Sequence, residues 1–183
     1  MTLFEQGSSI LYMKVGTHAQ ESLTDIIERK RREIQEEGFA MWGYGGNTCH
    51  PITMVQPFAK TASSPIVLCM QPMQSKHFAE PVRAEEYSED GRLWKPVPSG
   101  IDVLGSRYAL CIDSLEQVDE TLNLADTQVA VGRSRGRNGR DYVQGRVDKA
   151  CLELSNIGGA EAKEVHIGLT ANIVAPHAVL LRN

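Results

Sequence analysis

The run SLTDIIERKRREIQEEGFAMWGY, Ser22 to Tyr44, carries a helix, its stop signal and the strand that follows. Leu23, Ile26, Ile27 and Ile34 recur at helical spacing on one face, and the Lys30 stem covers the gap between them. Ser22 is suited to cap the first turn, with Asp25 three residues on, and Gly38 to take the left-handed position past the last. Glu28–Arg32 and Arg29–Glu33 stand four apart, where such pairs each stabilise a helix by a few tenths of a kcal/mol. The basic run Arg29 to Arg32 is flanked by acids and reads as a solvated helix face. Upstream, SSILYMKVG (Ser8 to Gly16) is β-rich and ends at a glycine; downstream, Phe39 to Tyr44 reads as a strand. A strand–helix–strand unit of this kind predicts two strands of one sheet joined by a parallel, right-handed crossover.

The same reading extends along the chain. Pro51 suits the first turn of a helix that Pro57 cuts or kinks, and Pro65 to Met70 is a compact apolar strand. Between Pro72 and Gly105, Glu89-Asp90-Gly91 fits a hairpin turn, with Trp94 anchoring the hairpin to the core. Tyr108 to Ile112 reads as a buried strand, Ser114 to Leu122 as a short helix, and Thr127 to Val131 as a strand. Val143, Val147, Ala150, Cys151 and Leu154 make one apolar helical face, and Asn156 to Ala160 is a glycine turn. Val165 to Val174 alternates as a strand does, and Ala178 to Leu181 is a last apolar strand. The sum is an α+β chain forming a single domain over residues 1–183, a mixed β-sheet with an N-terminal β-α-β unit and two to four helices packed on it.

A chain of 183 residues, 42% hydrophobic and 23% charged, is large enough to bury a core without disulfides or metals. Its formal net charge of -4 argues against a surface coated by nucleic acid. Cys49, Cys69, Cys111 and Cys151 form no C-x-x-C pair, and the last three sit in apolar runs as small hydrophobes. His18, His50, His77, His166 and His177 have no metal-ligand spacing, so no metal and no cofactor are expected. No apolar run approaches ~18 residues and no signal-peptide pattern opens the chain, which points away from membranes and toward a reduced, cytoplasmic protein.

Two strand–glycine–helix junctions carry the candidate site. In WGYGGNTCHP (Trp42 to Pro51), Trp42 and Tyr44 share one side of a strand and offer flat faces for a ring, while Asn47 and Thr48 are turn and cap residues whose amides suit an anion. Cys49 stands near a helix N-terminus, where a thiol is activated, and with His50 forms the candidate catalytic pair. Because neighbouring side chains diverge, the base for that thiol would come from farther away, from His18, His77 or His166. In VGRSRGRNGRD (Val131 to Asp141), Arg133, Arg135, Arg137 and Arg140 fall among glycines that let backbone approach a ligand. From Gly132 to Lys149 six cations face two acids, so this segment carries +4 and the remainder -8.

The spacing matches neither a Walker A loop nor a G-x-G-x-x-G fingerprint. The expectation is a pocket between 42–51 and 131–141 that binds an anionic small molecule such as a nucleotide, with transfer or hydrolysis as the chemistry Cys49 would carry. The alternative is a module that meets nucleic acid or an acidic protein surface through 133–140, without catalysis.

Overall fold

The computed structural model describes residues 5–46, 48–76, 79–155 and 160–183, with the side chains of 75 and 76 excepted. Its organising element is the last strand. Glu164–Arg182 is one 19-residue strand, β10 in a ten-stranded mixed sheet, where the sequence pattern predicts two separate strands. The gap in that pattern is a bulge. Ile173 lies opposite Ile112 and Ala178 opposite Leu110, so extra residues are accommodated on β10, and His177 adopts a positive φ of 72° there.

β6 (Tyr108–Ile112) and β7 (Glu116–Asn123) follow each other along one edge of β10, from Tyr108 opposite Leu180 to Asn123 opposite Glu164. β7 is the segment whose sequence predicts a helix. Its polar run EQVDETLN satisfies helix propensity, but its backbone hydrogen bonds go to β10. The other edge of β10 takes β3 (Val67–Lys76) and the short β4 (Glu86–Ser88), which pairs with β5 (Lys95–Pro96) as the expected hairpin. Within it Asp90 accepts the Leu93 and Arg92 N–H groups, which hold its carboxyl below the usual carboxylate value. The Arg182 guanidinium stacks 4.1 Å from the centre of the Trp94 ring.

β1 (Ser9–Thr17) runs parallel to β3 and antiparallel to β9 (Lys149–Leu154), which pairs in turn with β8 (Thr127–Val129). β9 corrects a second predicted helix. Cys151 faces one core while Ala150 and Leu152 face another, so a strand buried on both sides imitates a helical stripe. The helical part of that region is the four-residue α3, Gly139–Tyr142 in chain order after two others. The first, α1 (Leu23–Glu37), forms as its signals predict: Ser22 accepts the Asp25 N–H, and Gly38, at φ 86°, donates to Ile34 O. The second, α2 (Gln56–Thr61), follows a π-helical turn over Pro51–Val55.

β2 (Ala40–Tyr44) belongs to the same sheet as β1, but β6, β10 and β3 lie between them. The parallel neighbour of β1 is therefore β3, and β2 is an antiparallel partner of β6. The bend in β10 brings Leu11 and Met13 of β1 into one core with Trp42 and Tyr44 of β2, roofed by Ile26, Ile27 and Phe58. Alternate residues fill two further cores, one around Tyr12 and Ile167, the other around Met41 and Val103. The glycine turn expected at 156–160 lies, for 156–159, outside the described residues.

Candidate functional site

Where β1 ends, the chain reverses at once. His18 and Glu21 exchange N–H···O bonds of 3.1 and 2.9 Å around Ala19 and Gln20, both at positive φ. This sets the Glu21 carboxylate against the Arg29 guanidinium of α1. One residue on, Lys30 lies on the buried face of α1, with Nζ 3.0 Å from Glu33 Oε2 and donating to Asp102 O at 2.6 Å. Glu33 also accepts the Asp102 N–H at 2.8 Å, so α1 is bound to the segment preceding β6 by charged groups inside the protein. His18 Nε2 lies 3.2 Å from both Gly105 O and Ser106 Oγ of the same segment.

Between these parts opens a cavity of about 600 Å³. Met13, Val15, Ile26, Trp42, Tyr44 and Val103 supply its apolar surface. Its charged surface is strongly one-sided: Lys14, Arg29, Lys30, Arg107, Arg146 and Lys149 against Glu21 and Asp148. Arg29, Lys30 and Lys149 are engaged by acids, Lys149 with Asp148 at 2.8 Å. Lys14, Arg107 and Arg146 have no carboxylate within ion-pair distance among the described residues. Burial pushes the Lys30 ammonium down to about 8, against the pull of Glu33 in the other direction.

The glycine turn forms one wall. A Cβ on Gly43 would come within 2.9 Å of Val103 Cγ1 and closer still to Ser106 Oγ, so only glycine lets 103–106 cross β2 this closely. Gly46 turns at φ 89°, with Lys149 Nζ 3.9 Å from the place of its missing Cβ. Gly43→Ala is expected to lower stability by roughly 1–3 kcal/mol through overpacking, read as a lower urea midpoint at constant slope. An unchanged midpoint would mean that the 103–106 segment yields freely.

Trp42, Tyr44 and Thr48 line the cavity, while Asn47 and His77 lie outside the described residues. Cys49 is buried and absent from the lining; its Sγ lies 4.0 Å from Cys151 Sγ, and its carbonyl accepts the Tyr44 hydroxyl. His50 caps the π-helical turn, Nδ1 accepting from Ile52 N at 3.3 Å, and sets its ring edgewise to Tyr108. The arginine loop closes on itself instead of on the cavity: Val129 N donates to Arg137 O and Gly136 N to Val129 O, each at 2.8 Å. Arg133, Arg135 and Arg137 are exposed on it, and Arg140 pairs with Asp141 and Glu161 at 3.3 and 3.4 Å. Gly132 packs against Met54 of the turn that follows the glycine junction, and the cations of the cavity come from elsewhere, 146–149 included.

The sequence marks Lys30 only as a stem on the apolar stripe of α1 and Arg146 and Lys149 only as part of the cationic segment 132–149, while nothing in it singles out Lys14 or Arg107. No group of three or more His, Cys, Asp or Glu side chains among the described residues is placed to hold a metal ion. None of their helices is long and apolar enough to cross a membrane. No protein-family model, curated protein or solved structure matches this chain.

Proposed function

We propose that this protein binds a nucleotide or another phosphate-bearing small molecule in the cavity between β1, α1 and the glycine turn. One observation carries the reading: six cations against two carboxylates around an apolar, aromatic-lined space, in a chain of net charge -4. A volume of about 600 Å³ falls in the range of small-molecule sites. The phosphate would meet Lys14, Arg107 and Arg146, the cations without acid partners, and a ring would lie toward Trp42 and Tyr44. Cys49 and His50 do not line the cavity, so the reading is one of binding. It is also one of a cytoplasmic protein, consistent with four free cysteines.

The test is a thermal-shift series with nucleoside mono-, di- and triphosphates, cyclic nucleotides and sugar phosphates. A true ligand at a hundred times its Kd stabilises by about 2.7 kcal/mol, a rise of roughly 5–10 °C. Arg107→Glu and Arg146→Glu, both exposed, are expected to keep the fold and weaken that ligand at least about tenfold. A flat response to every phosphate, or a shift undiminished in both variants, removes the reading.

A second reading has its own support: Arg133, Arg135 and Arg137 project from a closed loop with no acid in ion-pair range among the described residues. These would meet a polyanion, nucleic acid or an acidic protein surface, with affinity falling steeply as salt rises. Salt-sensitive retention of RNA or DNA, lost in the triple Arg→Glu variant, would favour it over the cavity.

A further inference from the structure

We propose that Cys49 and Cys151 are a peroxide-sensitive thiol pair that closes to a disulfide linking two walls of the cavity. All four cysteines are free, and these two have their Sγ atoms 4.0 Å apart inside the protein. A disulfide needs about 2 Å between the sulfurs, so the pair must close by roughly half its present separation.

The two backbones differ in what they allow. Cys151 is held in the middle of β9, opposite Leu11, with its carbonyl accepting the Ala130 N–H at 2.9 Å. Cys49 stands outside the strands at a positive φ of 57°, with its carbonyl accepting the Tyr44 hydroxyl. Cys151 thus lies in a sheet ladder, and Cys49 does not. Gly46 and Thr48, just before Cys49, line the cavity, as does Lys149, two residues before Cys151. The cavity thus brings solvent, and a water-sized hydroperoxide, to the residues beside the pair.

Hydrogen peroxide is the co-reactant. The Cys49 sulfur attacks one peroxide oxygen, the O–O bond breaks, one water leaves and Cys49 becomes a sulfenic acid. The Cys151 sulfur then attacks the Cys49 sulfur. The S–S bond forms as the S–O bond breaks, and the oxygen leaves as a second water with the Cys151 proton. Two thiols and one peroxide become one disulfide and two waters, the sulfurs oxidised and the peroxide reduced by two electrons. Its hydrogen bond with Cys49 and its burial push the Cys151 thiol well above its ordinary pKa, which disfavours it as the thiol that meets the peroxide first. Cys69 and Cys111 are buried singly, with no second thiol in contact among the described residues.

The experiment uses the full reduced chain, treated with hydrogen peroxide, alkylated under denaturing conditions and mapped without reductant. Expected are a loss of two hydrogens, alkylation of Cys69 and Cys111 alone, and one cross-linked peptide pair holding Cys49 and Cys151. The bond joins residues 102 apart in sequence, so the oxidised chain should melt on the order of 10 °C higher, and a dithiol should return it. In Cys151→Ala, peroxide should leave Cys49 as a sulfenic acid that dimedone traps. Four alkylated thiols after peroxide, a different pair, or a bond between chains would overturn the assignment. The mapping of the unaltered chain decides this even if Cys151→Ala fails to fold, and neither readout involves the ligand.

Discussion

Glu33→Ala is expected to destabilise the protein by about 3–5 kcal/mol, since it breaks a buried ion pair from one side. For a chain of this size the melting temperature would fall by roughly 10 °C. The Glu33 carboxylate is 1% exposed and serves three groups: Lys30 Nζ at 3.0 Å, the Asp102 N–H at 2.8 Å and Arg29 Nε at 3.7 Å. Without it, Lys30 keeps only the Asp102 carbonyl and faces Arg29. Lys30→Met should cost less, because the carboxylate left behind retains Asp102 N–H and Arg29. The double variant Lys30→Met/Glu33→Leu should recover part of the loss, as apolar replacements of buried pairs commonly do. The loss also has a pH signature. Lys30 titrates near 8 when folded and near its ordinary 10.5 once unfolded, so stability rises with pH across that window. In Glu33→Ala the folded value drops further and the rise begins at lower pH. Urea midpoints from pH 6 to 10 measure this. Equal losses for Glu33→Ala and Lys30→Met, independent of pH, would show that the carboxylate does not organise the network.

The sequence exposed those parts of the fold whose determinants are local. α1 was legible from Ser22, Ile26, Ile27 and Gly38 because capping and one-sided burial are written within one segment. β6 was legible because all five of its residues are buried. β7 and β9 were not, for opposite reasons: one is polar and is held as a strand by the register of β10, the other is buried on both faces and mimics a helical stripe. The adjacency of β1 with β3, and the placing of β10 and β6 between them and β2, join segments remote in sequence, and no pattern within residues 9–44 contains them. The site divides the same way. Trp42, Tyr44 and Thr48, which line the cavity, stand beside glycines that mark the turn; Lys14, Arg107 and Arg146 stand far apart in sequence, and the fold gathers them. The arginines of 133–137 drew attention by being contiguous, and contiguity placed them on one compact surface loop.

Above pH 9 the reduced protein is expected to lose stability as pH rises, at about 1 kcal/mol per pH unit or more. Burial pushes the Cys69 thiol up, and Cys111 up to about 12; hydrogen bonding with Cys49 and burial do the same for Cys151. In the unfolded chain these three ionise near 9, so beyond that pH the unfolded state sheds protons that the native state must keep. The raised folded values fix the sign: their stabilisation is complete below 9 and is lost as pH rises. Each such group is worth about 1.4 kcal/mol per pH unit, giving about 3 for Cys69 and Cys111 with Cys151 acting in the same direction, and Lys30 offsets about one such share up to 10.5. Past pH 10 the slope steepens, because burial raises Tyr12 and Tyr44 as well. Urea midpoints in reducing buffer from pH 7 to 11 check the profile. Cys69→Ala/Cys111→Ala should cost stability at pH 7 by leaving small cavities yet flatten the alkaline slope by the share of those two thiols. A midpoint constant from pH 9 to 10.5, or a slope unchanged in that variant, would mean that the thiols ionise within the native core, which their complete burial opposes. Oxidation of Cys49 and Cys151 removes one of the three titrating thiols as it cross-links the chain, so the oxidised protein should resist alkali beyond its higher melting temperature.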